Sequence, residues 1–339
     1  MPPHVTVVST GGTIASTSAS DDAGKTPTES GADLLEAVPE LGEYATIDLE
    51  DVCRVSGFQM DAENATKTLE AVERAGGEAD GVVVTHGTDT MAETAYYLAL
   101  AADLEAPVVF TGAQRPFDQL GTDGPSNLLA AVRTAADERF RTGSYLAFND
   151  TVHAARHVVK AHTSKLETFS SPDYGPVAEF TPGGLRLLAE PGRYAEPMAG
   201  VRLDPAVEVE IVTNALGVDG SQVRRALEAD VDGIVLTGTG LGNATAALGR
   251  ALESALEAGV PVVLTSRCHA GAVAGLYGGP GGAKTLLEAG AIPGGDLPPW
   301  KARLKLALAL SRGDDLEAVR SVFENDRSSR ERLENRKEP

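Results

Sequence analysis

The stretch Gly81-Val-Val-Val-Thr-His-Gly-Thr-Asp-Thr-Met-Ala-Glu-Thr-Ala-Tyr-Tyr97 decides how this chain folds. Val82 to Thr85 is an apolar, β-branched run of the kind that forms a buried strand. The run breaks at Gly87, and a helix restarts from about Met91. Thr90 and Glu93 have capping-box spacing, which specifies the helix start. His86, Gly87, Thr88 and Asp89 therefore stand at the carboxyl end of a strand, the edge where open α/β sheets bind ligands. A hydroxyl beside a carboxylate, next to helix-start amides, can hold and attack a small polar molecule.

The same alternation extends in both directions. Val5 to Ser9 reads as a strand that ends in Thr10-Gly-Gly-Thr-Ile-Ala15, and Ser16 to Glu29 is too polar to pack and reads as a mobile loop. A short helix over Leu34 to Val38, a strand over Ala45 to Val55 and a helix over Ala62 to Ala75 follow. Beyond the central stretch come a strand at Pro107 to Thr111, a helix capped by Ser126, and a strand at Gly143 to Asn149. Residues 189–208, with Pro191, Gly192, Pro197 and Gly200, read as a linker between a domain at 1–188 and another at 209–339. In the second, strands at Val209 to Thr213, Gly233 to Thr237 and Pro261 to Thr265 alternate with helices from Ser221 and Asn243. Two final helices precede a polar tail from about residue 326. Strands alternating with helices of ten to fifteen residues predict an α/β fold: two domains with mostly parallel sheets flanked by helices, the larger one N-terminal.

Composition narrows the partners. Lysines and arginines total 29 against 49 aspartates and glutamates, giving a net charge of −20. The acid is spread along the chain, the pattern of proteins from very salty cytoplasm, with an ordinary acidic protein as the alternative. Such a surface repels phosphate backbones and predicts no nucleic-acid partner. Cys53 and Cys268 form no CxxC, which argues against a disulfide framework and a zinc site. Without a membrane-length apolar run, and with a strand expected at Val5, the chain reads as cytoplasmic and without a membrane partner.

Chemistry concentrates at strand ends. The paired glycines of Thr10-Gly-Gly-Thr13 let amides approach a ligand and hold an oxyanion; a tight turn is the plainer alternative. A threonine hydroxyl needs a base. His86 precedes a tight turn and reads as structural. Lys160, on an apolar stretch, is the better base candidate if burial lowers its pKa, an exposed lysine being the alternative. Gly238-Thr-Gly-Leu-Gly-Asn243 resembles a phosphate turn, but no acid stands where a ribose would need one. His153, His157 and His162 read as surface or hinge residues.

Thr10-Gly-Gly-Thr-Ile-Ala15 and Thr85-His-Gly-Thr-Asp-Thr-Met-Ala-Glu-Thr94 resemble the two signature motifs of the bacterial-type L-asparaginases. The likeness continues in order through Gly112-Ala-Gln-Arg-Pro116, Asp123-Gly-Pro-Ser-Asn-Leu128, Asn149-Asp-Thr-Val152, Thr168-Phe169 and Tyr174-Gly-Pro176. The second domain, through Asp232-Gly-Ile-Val235 and Asn243, matches more loosely. The resemblance implies hydrolysis of L-asparagine to L-aspartate and ammonia through an acyl-threonine, without metal or cofactor. Carried over, Thr13 is the nucleophile, and Thr88, Lys160 and Asp89 form a proton relay. Asp89 also grips the substrate's α-ammonium. Gly12 and Thr88 offer oxyanion-binding amides, and Gln59 holds the amino and carboxylate end. Asn243 comes from a neighbouring subunit, in a homodimer or homotetramer with sites at the dimer interface.

The sequence departs from the family in places. The loop from Ser16 to Thr28 lacks the family's tyrosine, leaving Thr26 or Thr28 for its role. Phe58 stands where the family has a carboxylate-binding serine, a task that passes to Ser56 or a backbone amide. Ala270 to Gly282 has no acid to match the glutamate of secreted members. The alternatives are an amidotransferase subunit releasing ammonia from glutamine, disfavoured by the acidic surface and the early first strand, and a silent amino-acid-binding protein.

Overall fold

Runs of valine with no polar alternation need apolar cover on both faces, and the strands find it. In the computed structural model, which describes residues 2–17 and 25–324, the first unit, Met1–Gly200, holds strands β1 (His4–Gly11), β2 (Thr46–Val55), β3 (Gly81–Thr85), β4 (Val108–Thr111) and β5 (Ser144–Phe148). They pair in parallel in the order β2-β1-β3-β4-β5. Every residue of β3, β4 and β5 is buried. Helices α1 (Gly31–Glu36) and α4 (Gly124–Ala135) cover one face, where Leu34, Leu128 and Val132 join Val7, Val83 and Val109 in one cluster. The buried stripes of α2 (Ala62–Gly76) and α3 (Met91–Ala101) also pack on this sheet.

The strand order has a consequence for function. β1 connects outward to β2, and the chain then passes over to β3 on the other side of β1. The order thus reverses between β1 and β3, and the crevice at such a switch point is where doubly wound sheets bind ligands. Thr13 follows β1 and Thr88 follows β3.

The sheet continues where sequence reasoning stopped. Strands β6 (Thr151–Ala154), β7 (Ala178–Thr181) and β8 (Gly184–Leu187) extend it antiparallel beyond β5. Asn149 and Asp150 make the reversal at φ 48° and 60°. Two positive φ values in a two-residue loop fit a type I′ hairpin turn, whose twist suits the flanking strands.

Three expected helix starts are corrected. At α3 the Thr90 hydroxyl does not cap the helix; it donates to Gly57 O at 2.6 Å, so there is no capping box. α4 begins at Gly124 with Asp123 as its cap residue, and Ser126 Oγ, inside the first turn, donates back to Asp123 O at 3.0 Å. In the second unit, Val201–Pro339, helix α6 (Ala246–Glu257) starts three residues after Asn243, capped by Thr245 Oγ1 accepting from Leu248 N.

That second unit is a parallel sheet in the order β9 (Val209–Thr213), β10 (Gly233–Gly238), β11 (Val262–Ser266) and β12 (Ile292–Pro293). Helix α5 (Ser221–Glu228), α6 and α7 (Ala283–Glu288) share one core with it through Val223, Leu248, Leu252 and Leu286. Helix α8 (Pro299–Ser311) also packs on the sheet, and residues 316–324 are helical. No helix among the described residues is long and apolar enough to cross a membrane. The expected mobile loop falls largely on residues 18–24 and the polar tail on 325–339, both outside the described residues.

Candidate active site

Three strand ends meet here through glycine. A Cβ on Gly12 would stand 2.4 Å from Gly87 N and 2.6 Å from Gly87 Cα. One on Gly87 would meet Gly57 N at 2.4 Å and Gly57 Cα at 2.5 Å. The loops after β1, β2 and β3 are thus in backbone-to-backbone contact, closer than any side chain permits. Gly11 and Gly12 also take φ of 97° and 84°, where L-residues are strained. A register shift of β1 against β2 between Ser9 and Gly11, and the bond from Gly12 N to Val55 O at 2.9 Å, seat this turn.

Thr13 opens the 3-10 turn that follows and is half-buried. Across the Gly12–Gly87 contact lies Thr88, 5% exposed. Lys160 Nζ donates to Thr88 Oγ1 at 2.8 Å and to Asp89 Oδ1 at 2.7 Å. Lys160 is not the exposed lysine of the plainer alternative: its side chain is 17% exposed, on the short strand Val159–Lys160 paired with Phe169–Ser170. Hydroxyl, ammonium and carboxylate therefore form a connected set brought together from two distant stretches of chain. Among the described residues the Thr88 amide donates no hydrogen bond, so a buried donor stands available for a ligand oxygen.

Ser56, Phe58 and Gln59 lie on the turn after β2, closed by Gln59 N donating to Ser56 O at 2.8 Å. Ser56 is half-buried, Gln59 exposed and Phe58 72% exposed. Gly57, between them, ties this turn to Gly87, and Thr90 Oγ1 holds its carbonyl. Gly57 has no role in the sequence reading and Thr90 only a capping one; a lone glycine just past a strand is the signal that marked the close approach.

A brace supports the edge from behind. The Asp123 carboxylate accepts from Gln114 N, Arg115 N and Asn127 Nδ2. Asn127 in turn donates to Gly112 O and accepts from Asn149 N. These bonds connect the loops after β4 and β5.

His86 is fully buried, and its Nδ1 lies 2.8 Å from Gly87 O. A carbonyl only accepts, so Nδ1 carries the proton. Burial pushes the imidazole pKa down to about 4, against the opposing pull of the Gly87 bond. The ring is neutral near pH 7, and its Nδ1 is committed to the main chain. The structural reading of His86 fits this geometry.

Other expectations change. His153 is buried, its Nδ1 2.9 Å from Ser171 Oγ, and is not a surface residue. His157 stacks on Tyr174 at 3.7 Å, and His162 Nδ1 accepts from the amides of Ser164 and Lys165. Thr28, offered in place of the loop tyrosine, instead pairs its hydroxyl with Thr17 Oγ1 at 2.6 Å. Thr26 lies on a strand pair with Ser16–Thr17 and is exposed. Cys53 on β2 is half-buried, its thiol pushed up to about 11 by desolvation, whereas Cys268 is exposed.

In the second unit Asn243 closes the loop after β10. Its main chain exchanges bonds with Thr239, and its Oδ1 accepts from Ala283 N at 3.0 Å. The amides of Thr239, Gly242 and Asn243 are spent inside the loop, so it does not present a continuous row of donors to a phosphate.

Two family models match the chain: the N-terminal asparaginase domain over residues 4–193 and the glutaminase/asparaginase C-terminal domain over 208–323. L-asparaginase 2 of Escherichia coli is 34% identical over 338 residues, covering 95% of this chain and 92% of that protein. A Glutamyl-tRNA(Gln) amidotransferase subunit of Methanothermobacter thermautotrophicus is 35% identical, covering 95% of this chain and 75% of the relative. A crystal structure of a probable cytoplasmic L-asparaginase from Campylobacter jejuni superposes with a TM-score of 0.85 at 30% identity, covering 95% and 99% of the two chains. With both family models in order along the chain and a full-length match in fold, this protein belongs to the asparaginase family.

Proposed function

We propose that the chain hydrolyses L-asparagine to L-aspartate and ammonia through an acyl-Thr13 intermediate. One observation carries the reading: Lys160 bridges Thr88 and Asp89 directly across the glycine contact from Thr13. Thr13 Oγ1 bonds to the amide carbon and the carbonyl π pair moves onto oxygen, facing the Thr88 amide and the amides around Gly12. Collapse breaks the carbon–nitrogen bond, and the proton from Thr13 leaves with the nitrogen as ammonia. Water then attacks the ester carbon, with Thr88, Lys160 and Asp89 relaying its proton, and Thr13 is regenerated.

Asp89 also receives the substrate's α-ammonium, and Ser56, Gln59 and the turn around Phe58 receive its carboxylate end. Asn243 serves the site of a neighbouring subunit in a homodimer or homotetramer. The protein works in the cytoplasm, at high salt, which screens repulsion among its surface carboxylates. Sizing by light scattering tests the assembly.

The likeness to an amidotransferase component keeps glutamine in view as a second amide. Ammonia release from L-asparagine and from L-glutamine, measured side by side in concentrated potassium chloride, decides between them. Release from asparagine supports the reading. Release from glutamine alone replaces it, and release from neither by a folded protein leaves only amino-acid binding.

A further inference from the structure

The acyl-transfer scheme gives His86 no task, although this ring is fully buried, 6.0 Å from the Phe110 ring of β4. Its Nδ1–H donates to the Gly87 carbonyl at 2.8 Å. The Gly87–Thr88 peptide is trans, so its C=O and the Thr88 N–H point in opposite directions. Pinning the carbonyl on the buried side therefore turns the Thr88 N–H away from His86. That amide has no acceptor among the described residues, on a residue only 5% exposed.

The same carbonyl also lies against Gly57. An added Cβ on Gly57 would lie 2.8 Å from both Gly87 C and Gly87 O, and the Gly57 carbonyl is held by Thr90 Oγ1. The Gly87 carbonyl is thus bonded by the His86 ring and packed against the Gly57 backbone. Packing alone does not fix a hydrogen-bond direction, and the His86 bond supplies it.

We propose that His86 is a positioning residue: its Nδ1–H holds the Gly87 carbonyl and so aims the Thr88 amide at the substrate oxygen on which negative charge develops. The proposal rests on the asparaginase reading. The Nδ1–H is present whether or not the ring is charged, so the device is a fixed brace and does not act as a pH switch.

The test compares wild type, His86→Leu, His86→Asn and Thr13→Ala in steady-state ammonia release, with thermal unfolding of each. The Asn amide nitrogen can occupy the place of Nδ1. His86→Leu is expected to lower kcat about 10- to 100-fold, below or at the low end of the cost of removing an oxyanion donor. KM should stay within about threefold, because the ends of the substrate are held elsewhere. His86→Asn should recover most of kcat. Should the leucine variant fail to fold, His86→Gln, which carries its amide one atom too far, takes its place with the same expected loss. Wild-type kcat in the leucine or glutamine variant, or a loss in His86→Asn as deep as theirs, overturns the proposal. A wild type that releases no ammonia defeats the asparaginase reading and this proposal together. Release that is abolished in Thr13→Ala but indifferent to His86 defeats the positioning role alone.

Discussion

Gly87→Ala tests whether backbone contact sets the geometry of the site. The added methyl would lie 2.4 Å from Gly57 N and 2.5 Å from Gly57 Cα, where ordinary contact begins at 3.4 Å. No flexible side chain can yield, because both atoms are main chain, so the loops after β2 and β3 must part by about 1 Å. A displacement of that size at a reacting centre costs on the order of 100-fold in rate, and overpacking costs about 1–3 kcal/mol of stability. Gly42→Ala is the control, since a Cβ there meets nothing within 4 Å. The assay is kcat/KM for ammonia release from L-asparagine, paired with urea denaturation. The expected outcome is a ~100-fold fall for Gly87→Ala with the protein still folded, and no change for Gly42→Ala. Wild-type turnover in Gly87→Ala, or equal losses in the two variants, would refute the reasoning.

Thr13→Ala and Thr88→Ala should each lower kcat by about three orders of magnitude or more while the circular dichroism spectrum stays that of the wild type; near-wild-type turnover in either removes that residue from the chemistry. Because burial depresses the His86 pKa from 6.5 to about 4, the neutral ring's full contribution to stability is present above pH 6.5 and is lost as pH falls through 4. The loss approaches about 3 kcal/mol, read as a steeper acid decline in urea midpoint for wild type than for His86→Asn; parallel declines would contradict it. Activity and melting temperature should rise together between dilute buffer and molar potassium chloride, as screening relieves repulsion among carboxylates; full activity in dilute buffer counts against that expectation. A thiol reagent at pH 8 should label exposed Cys268 and spare Cys53, whose thiol is held near 11; mass spectrometry showing two equal adducts would disprove it.

Much of this fold is legible in the order of residues because buried parallel strands have a strong local signature. Val5 to Ser9, Val82 to Thr85 and Val209 to Thr213 declare themselves as unbroken β-branched runs. The antiparallel extension does not. β7 and β8 are four residues each, and the Asn149–Asp150 turn is specified by backbone dihedrals that its two polar residues only permit. Helix starts were misplaced for a related reason. The Thr90, Ser126 and Asp123 side chains all have local capping options, but each is engaged by a tertiary or main-chain partner. Within the site, Thr13, Thr88 and Asp89 stand out as polar residues at strand ends. Gly57 does not, because its importance lies in what is absent from it. The pairing of Lys160 with Thr88 spans 72 positions and could be reached from the sequence only through resemblance.

The glycine contacts between the three loops also bear on how far this chain can change without losing its site. Interlocking side chains pass a substitution on to their neighbours, since each knob requires a matching hole. Main-chain atoms touching one another have no such dependence on residue type. The composition around the three loops can vary while the offset between the two hydroxyls stays constant. An engineer seeking a new amide specificity would accordingly leave the three glycines alone and vary the exposed side chains of Phe58 and Gln59.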